Sequence, residues 1–308
     1  MNGTIRFPHL GITLHQVIRT VSVGNLEIAC YGIVLAAAMV TGLLLVMKVA
    51  DKTGQKGDDY FDLGMVAIVV SVLCARIYYV VFSWDYYREH LTEIVNLRKG
   101  GLAIYGGVIG GVLTVAVFCR IRKMRFWKTL DTAVLGLVWG QALGRWGNFF
   151  NREAFGSYTD NLLAMQLPVS DVRTYEVTQE MWQHVTTING VEYFQVHPTF
   201  LYESIWNLVA LGILLYLTFR AVKAYEGLVF LSYLFLYGVG RFWIEGLRTD
   251  QLLLPGTVIP VSQLLSGILV IAAGACLLWH RAKRNLRNGT HGERNKRDAA
   301  KRSTDGSN

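Results

Sequence analysis

Charge is scarce in this chain. Aspartate, glutamate, lysine and arginine make up 17% of its 308 residues, against about 25% in soluble domains. The deficit comes from long uncharged runs, which excludes a pair of soluble domains and predicts a polytopic membrane protein. Only four cysteines occur, Cys30, Cys74, Cys119 and Cys276, all within apolar stretches. None has CxxC spacing, so they read as buried thiols, not as disulfides or metal ligands, and no cofactor is called for. The chain has no GxSxG, the motif of one hydrolase class. It shows no repeated halves with paired broken helices, the mark of many transporters. The N-terminus lacks a basic region followed by an apolar core, so it is not read as a cleavable signal peptide, and export would rely on the first membrane helix. The net charge of +8 could suggest nucleic acid. Its distribution argues otherwise, because the basic residues sit in short loops and a tail between apolar runs.

The apolar runs predict an all-α polytopic membrane protein with seven transmembrane helices. They span about 28–46, 61–82, 101–119, 130–149, 199–219, 228–244 and 258–279. Residues 1–27 read as an outer-surface segment. Residues 28–280 form the seven-span domain. Residues 157–198 are a polar insertion within it, expected to form a small extracytoplasmic head. Asn189-Gly190 lies there between β-prone arms and signals a type I′ β-hairpin. The tail, 281–308, is basic, without periodicity, and reads as disordered and cytoplasmic. Loops and tail on one side carry nineteen lysines and arginines, against eight on the other. The positive-inside rule then places the N-terminus outside and the C-terminus in the cytoplasm.

Glycines recur at close-packing intervals. Gly106/Gly110 and Gly107/Gly111 are GxxxG pairs, and Gly136, Gly140 and Gly144 repeat every fourth residue.

Polar residues gather at the span ends of the outer side. Tyr105 lies in the glycine-rich opening of span three. Arg145, Asn148, Asn151 and Glu153 close span four, and the first three share one helical face. His197, Tyr202 and Glu203 open span five. Tyr237, Arg241, Glu245 and Arg248 close span six, with Arg241 and Glu245 in i, i+4 reach. Ionisable groups at such depth face a partner, a cavity or a ligand. Structural pairing is one account, for example Arg145 with Glu245 or Arg241 with Glu153. An anion site is the other, because arginines with few competing carboxylates suit a phosphate held by forked hydrogen bonds. At this depth such a phosphate belongs to a phospholipid head group.

The stretch 144–156, Gly-Arg-Trp-Gly-Asn-Phe-Phe-Asn-Arg-Glu-Ala-Phe-Gly, resembles the signature of bacterial prolipoprotein diacylglyceryl transferases. Three further stretches agree in order: Gly-Gly-Leu-Ala-Ile-Tyr-Gly-Gly at 100–107, His-Pro-Thr-Phe-Leu-Tyr-Glu at 197–203, and Gly-Arg-Phe-Trp-Ile-Glu at 240–245 with Arg248. Tyr31-Gly32 and Ser262-Gln263 also fit.

The resemblance implies transfer of the diacylglyceryl group from phosphatidylglycerol to the lipobox cysteine of a preprolipoprotein signal peptide. It also implies a multi-pass protein of the bacterial cell membrane. By the same resemblance Arg145 and Arg241 hold the phosphate, Asn148 donates to the head group, and Glu153 and Glu245 orient the arginines. Tyr31 and Tyr237 line the lipid site, and Asn151, Gly156 and Arg248 complete it. Several well-known members carry histidine where this chain has Tyr105. Tyrosine, with an ordinary pKa of about 10, is a poor base at neutral pH. Tyr105, His197 and Glu245 therefore stand as alternative proton acceptors, or the arginines lower the thiol pKa enough that no strong base is needed. The alternative function is a transporter of anionic lipid or solute.

Overall fold

The computed structural model describes residues 3–24, 26–96, 100–220 and 225–305, with side chains followed to residue 284. It is mostly helical. Among the described residues seven helices exceed seventeen residues: α1 (Cys30–Lys52), α2 (Gly57–Phe82), α3 (Ile104–Ile121), α4 (Phe126–Asn151), α5 (Thr199–Arg220), α6 (Leu228–Glu245) and α7 (Val261–Asp305). Short helical turns lie at Trp84–Tyr87 and Gln179–Gln183. Six of the seven long helices, all but α4, are long and apolar enough to cross a membrane. α4 is as long as α2 but carries Lys128, Asp131 and Arg145.

The chain forms two compact units, Met1–Phe230 with Leu247–Asp250, and Leu231–Gly246 with Gln251–Asn308. In the first unit α4 packs along α1 and α5, and α2 packs on α3. Close approach is set by glycines. A methyl on Gly106 would lie 2.5 Å from the Cys74 carbonyl oxygen, and one on Gly110 would lie 2.7 Å from Cys74 Cβ. Both are distances that no side chain tolerates, so α3 can seat on α2 only with bare backbone there.

The first unit also holds the β-structure. Strands β1 (Ile5–Phe7), β2 (Ile12–Leu14), β5 (Met165–Pro168), β6 (Thr186–Ile188) and β7 (Val191–Val196) form one sheet in the order β2-β1-β5-β7-β6. β3 (Thr20–Val23) and β4 (Leu26–Ala29) form a separate hairpin leading into α1. Asn189 and Gly190 both have positive φ, 52° and 77°, and join β6 to β7 with Ile188 opposite Val191. This is the two-residue geometry that the Asn-Gly pair favours.

The N-terminal residues do more than lie at a surface. Arg6 pairs with Gln166, and Ile5 and Phe7 are buried with Phe155, Phe194 and Val196. That core continues onto Phe149 of α4 and Phe200 of α5. Burial of such side chains is worth about 1.5–3 kcal/mol each. It fixes the sheet against the helix ends that carry the signature stretch.

In the second unit α6 and α7 meet through Gly238, where a methyl would lie 2.9 Å from the Ser266 carbonyl oxygen. α7 runs on to Asp305, so the structure places helix in most of the stretch read as a disordered tail. Arginine, lysine and alanine, frequent there, are strong helix formers. The thiol reading needs correction as well. All four cysteines are free, but only Cys30 and Cys119 are buried; Cys74 is partly covered and Cys276 is exposed. Helix faces that meet lipid bear apolar side chains as readily as the core does, so an apolar segment does not specify burial.

Candidate functional site

The site begins where α4 ends. Arg152 adopts a left-handed conformation, φ 54°, and caps the helix with its N–H donating to the Phe149 carbonyl at 3.2 Å. Ala154 is also left-handed, at φ 57°. Such conformations are costly for residues with a Cβ and persist only when surroundings enforce them. The Arg152 side chain, 2% exposed, does so here. It donates to the carbonyls of Phe150, at 2.8 Å, and Val17, and its Nε lies 3.2 Å from Asp171. The N-terminal segment and the 169–171 turn are thereby pinned to the helix end.

The tight turn sends Glu153 back toward its own helix. Its Oε1 accepts from Asn148 Nδ2 at 3.0 Å and Asn151 Nδ2 at 3.2 Å. Its Oε2 lies 3.1 Å from Arg173 Nη2. The structure thus corrects the role expected of Glu153: the arginine it holds is Arg173, and the groups it orients are the two asparagine amides. Arg173 also meets Glu176, 3.4 Å away. Burial pushes the Glu176 carboxyl above its usual range, with Arg173 opposing the shift.

Arg145 pairs with Glu203 of α5, Nη2 to Oε2 at 2.5 Å. The other oxygen of Glu203 lies 3.8 Å from Arg248 Nη1. Arg248 in turn forks onto Asp250 at 2.8 and 2.6 Å. Glu203 is thus a buried carboxylate shared by two of the arginines read from the sequence. The sequence shows it as one polar group opening span five, but only the packing of α4 on α5 reveals its partners. Trp146 helps hold that packing, its Nε1 donating to Ser204 Oγ at 3.2 Å.

Gly156 serves the backbone. A methyl there would lie 2.7 Å from both His197 Cβ and the Leu247 carbonyl oxygen. Its N–H donates to the His197 carbonyl at 3.0 Å, and Ser157 N–H to that of Leu247 at 2.9 Å. The absence of a side chain lets the signature stretch, the start of α5 and the Leu247–Arg248 segment meet.

Below Arg145 opens a cavity of about 610 Å³ bounded by α1, α2, α3 and α4. Tyr31, Arg145 and Asn148 line it near one end, and most of the remaining wall is apolar, including Leu35, Met39, Leu63 and Ile68. Tyr31 stacks over bare backbone at Gly147, where a methyl would lie 2.6 Å from its ring. The three glycines spaced four apart on α4, Gly136, Gly140 and Gly144, divide in function. Gly136 is packed against Gly42 and Val46, whereas methyls on Gly140 and Gly144 would meet nothing within 4 Å. All three border the cavity, but only the first also serves close helix packing.

Tyr105 lies in the first turn of α3 and is exposed. Its neighbour Ile104 is a cavity residue, but Tyr105 is not among those that line it. The loop before it is held by Arg76, a buried arginine of α2. Arg76 donates to the carbonyls of Glu93, Ile94, Gly100 and Gly101 at 2.6 to 2.9 Å. His197 Nδ1 lies 3.2 Å from the Tyr202 hydroxyl and 3.4 Å from Asn161 Nδ2. Burial lowers its pKa, so the ring is neutral near pH 7. It too lies outside the cavity lining.

The second unit carries Tyr237, Arg241 and Glu245 on α6. Arg241 Nη2 lies 2.6 Å from Glu245 Oε2, the i, i+4 pair read from the sequence, with Glu245 3% exposed. Tyr237 is half-buried against Tyr233, ring centres 5.7 Å apart.

A family model described as prolipoprotein diacylglyceryl transferase matches residues 19–279. Curated proteins named phosphatidylglycerol–prolipoprotein diacylglyceryl transferase are similar over three quarters of the chain or more. One from Geobacillus kaustophilus is 43% identical over 260 residues, 84% of this chain and 91% of its own. One from Acaryochloris marina is 44% identical over 232 residues, 75% of this chain and 80% of its own. One from Clostridioides difficile is 45% identical over 230 residues, 75% and 82%.

Proposed function

The chain belongs to the prolipoprotein diacylglyceryl transferase family, and from that premise we propose that it moves the diacylglyceryl group of phosphatidylglycerol onto the lipobox cysteine of preprolipoproteins. This is the first step of lipoprotein maturation. The observation that carries the reading is the cavity of about 610 Å³, apolar along most of its wall and bordered by Arg145 and Asn148. That is the polarity of a phospholipid, with hydrocarbon in the apolar part and phosphate against the guanidinium.

The chemistry is a displacement at carbon. The cysteine sulfur attacks the glyceryl carbon bonded to the phosphate ester oxygen. The C–S bond forms as the C–O bond breaks, and the electron pair leaves with glycerol phosphate. Arg145 and Arg241 stabilise the charge on the departing phosphate, and Arg248 adds to the field. Asn148, with Asn151, presents amide donors whose orientation Glu153 fixes. Tyr31 and Tyr237 line the lipid site, and Gly156 holds the backbone around it. The thiol, with an ordinary pKa of about 8.5, reacts as thiolate. Its proton passes to Tyr105, His197 or Glu245, or to solvent if the arginines depress the thiol pKa. Of the three, His197 has the support of a neutral ring.

The protein is a multi-pass membrane protein. α4 is read as a seventh span: its 26 residues reach about 39 Å, and its charges are partnered, Lys128 by the Thr53 carbonyl, Asp131 by the Gly227 and Phe230 N–H groups and Arg145 by Glu203. The excess of basic residues on the side of the tail supports a cytoplasmic C-terminus and an outer N-terminus. The sheet of β1, β2, β5, β6 and β7 is then an extracytoplasmic head.

The test mixes purified protein with phosphatidylglycerol and a lipobox peptide containing one cysteine, and follows peptide mass. A gain of one diacylglyceryl group, absent when cysteine is replaced by serine, is the expected result. Saturable lipid binding without mass gain would shift the assignment to lipid transport.

A further inference from the structure

Resting on the phosphatidylglycerol reading, we propose that the depth of the cavity below Gly140 sets the acyl-chain length that this protein accepts. Gly140 is the wall position, and Tyr60 closes the floor.

The cavity follows α1 from Tyr31 to Val46 and α4 from Ala133 to Asn148, each about 22 Å of helix. Arg145 and Asn148 mark the head-group end, so the tails run toward Val46 and Tyr60. The floor there is polar beneath an apolar skin. Tyr60, 1% exposed, packs with Val46, Ala50 and Leu63. Its hydroxyl donates to Gln55 Oε1 at 2.5 Å, and Gln55 Nε2 donates to Thr132 at 2.8 Å and Thr53 at 2.9 Å. This network joins the end of α1, the start of α2 and the start of α4. A longer chain could advance only by parting these bonds and leaving buried polar groups unpaired. The floor is therefore a stop and not a soft plug.

The wall gives the second observation. Glycine inside a helix is destabilising relative to alanine. At Gly136 packing explains it, since a methyl would lie 2.6 Å from Val46 Cγ2 and 2.9 Å from the Gly42 carbonyl oxygen. At Gly140 no such packing does, because beyond its own stretch of helix backbone a methyl there would meet nothing within 4 Å. The bare backbone instead enlarges the cavity midway between Arg145 and the floor. Reaction occurs at the glyceryl carbon beside the phosphate at Arg145, about 7.5 Å of helix from this level. A change at Gly140 thus alters which lipid is used, not how the thiol attacks.

The test uses full-length Gly140→Ala and Gly140→Leu proteins with an equimolar mixture of didecanoyl- and dioleoyl-phosphatidylglycerol and the lipobox peptide. The mass added to the peptide reports which lipid was used. Both variants relieve a helix glycine and fill open space, and thermal unfolding in detergent checks that they fold. Gly140→Leu is expected to shift the product ratio toward the decanoyl lipid by ten-fold or more. The scale is about fourfold for each methylene that loses contact. Gly140→Ala is expected to shift it less, in the same direction. An unchanged ratio in an active Gly140→Leu protein overturns the proposal. So does a folded Gly140→Leu protein that has lost turnover of both lipids equally. Absence of any transfer by the unmodified protein would instead overturn the transferase reading, so the two failures are distinct.

Discussion

Glu203 sits between two arginines, with one carboxylate oxygen 2.5 Å from Arg145 and the other 3.8 Å from Arg248. Its side chain is 8% exposed, against 25% for Arg145 and 12% for Arg248. A buried carboxylate placed this way holds both guanidinium groups in fixed orientations before a phosphate arrives. Glu203→Gln keeps the shape and one acceptor but removes the charge. Transfer is expected to fall about a hundred-fold, the scale of losing one preorganised electrostatic contact. Arg145→Ala should abolish measurable transfer while leaving an inserted, folded protein. Initial rates of peptide lipidation check both; normal turnover in Arg145→Ala would remove it from the phosphate site.

Arg241 and Glu245 form a nearly buried pair on α6. Arg241→Ala removes the guanidinium from beside a buried carboxylate, and breaking such a pair costs about 3–5 kcal/mol. Adding Glu245→Gln is expected to restore most thermal stability without restoring transfer. Recovery of activity in the double variant would show that Arg241 serves only to balance Glu245. Tyr105→Phe should lose less activity than Arg241→Ala; an equal and complete loss would mark Tyr105 as proton acceptor or essential donor.

Gly156→Ala puts a methyl 2.7 Å from His197 Cβ and from the Leu247 carbonyl oxygen. Backbone must move, and both the fold around the signature stretch and the transfer rate are expected to collapse together. Limited proteolysis of the variant, compared with the parent, reads the structural loss directly.

Arg76→Ala removes the side chain that gathers the carbonyls of Glu93, Ile94, Gly100 and Gly101. Those carbonyls lose charge-assisted bonds worth about 1.5–3 kcal/mol each before compensation by water. An apparent melting temperature lower by several degrees is expected, with Arg76→Lys recovering only part of it because an ammonium lacks the guanidinium fork. Equal stability of Arg76→Lys and the parent would argue against the fork.

Glu176 is buried and its carboxyl titrates above the usual carboxylate range. Because the fold disfavours the charged form, this group favours folding at low pH. That contribution is lost as pH rises through the shifted pKa. Glu176→Gln should therefore raise the apparent melting temperature at pH 8, by about 1–3 °C, with the gain vanishing near pH 4. A gain that persists unchanged at pH 4 would assign the effect to something other than the charge.

Much of this architecture was legible in the chain. Helix positions followed from apolar runs, because leaving hydrocarbon is costly wherever the run ends. The β6–β7 turn followed from Asn189-Gly190, since both positions need positive φ. The Arg241–Glu245 pair followed from i, i+4 spacing on one helix. Each depends on neighbours only a few residues away. The tertiary structure decided the rest. It joined Arg145 to Glu203, gave Glu153 to Arg173, and drew the N-terminal strands into a sheet with β5 and β7. It also separated Gly136, which packs, from Gly140 and Gly144, which open a cavity. Spacing places a residue on a helix face but does not say what that face meets. The rotation and seating of helices far apart in sequence settle that, through packing that no local pattern encodes.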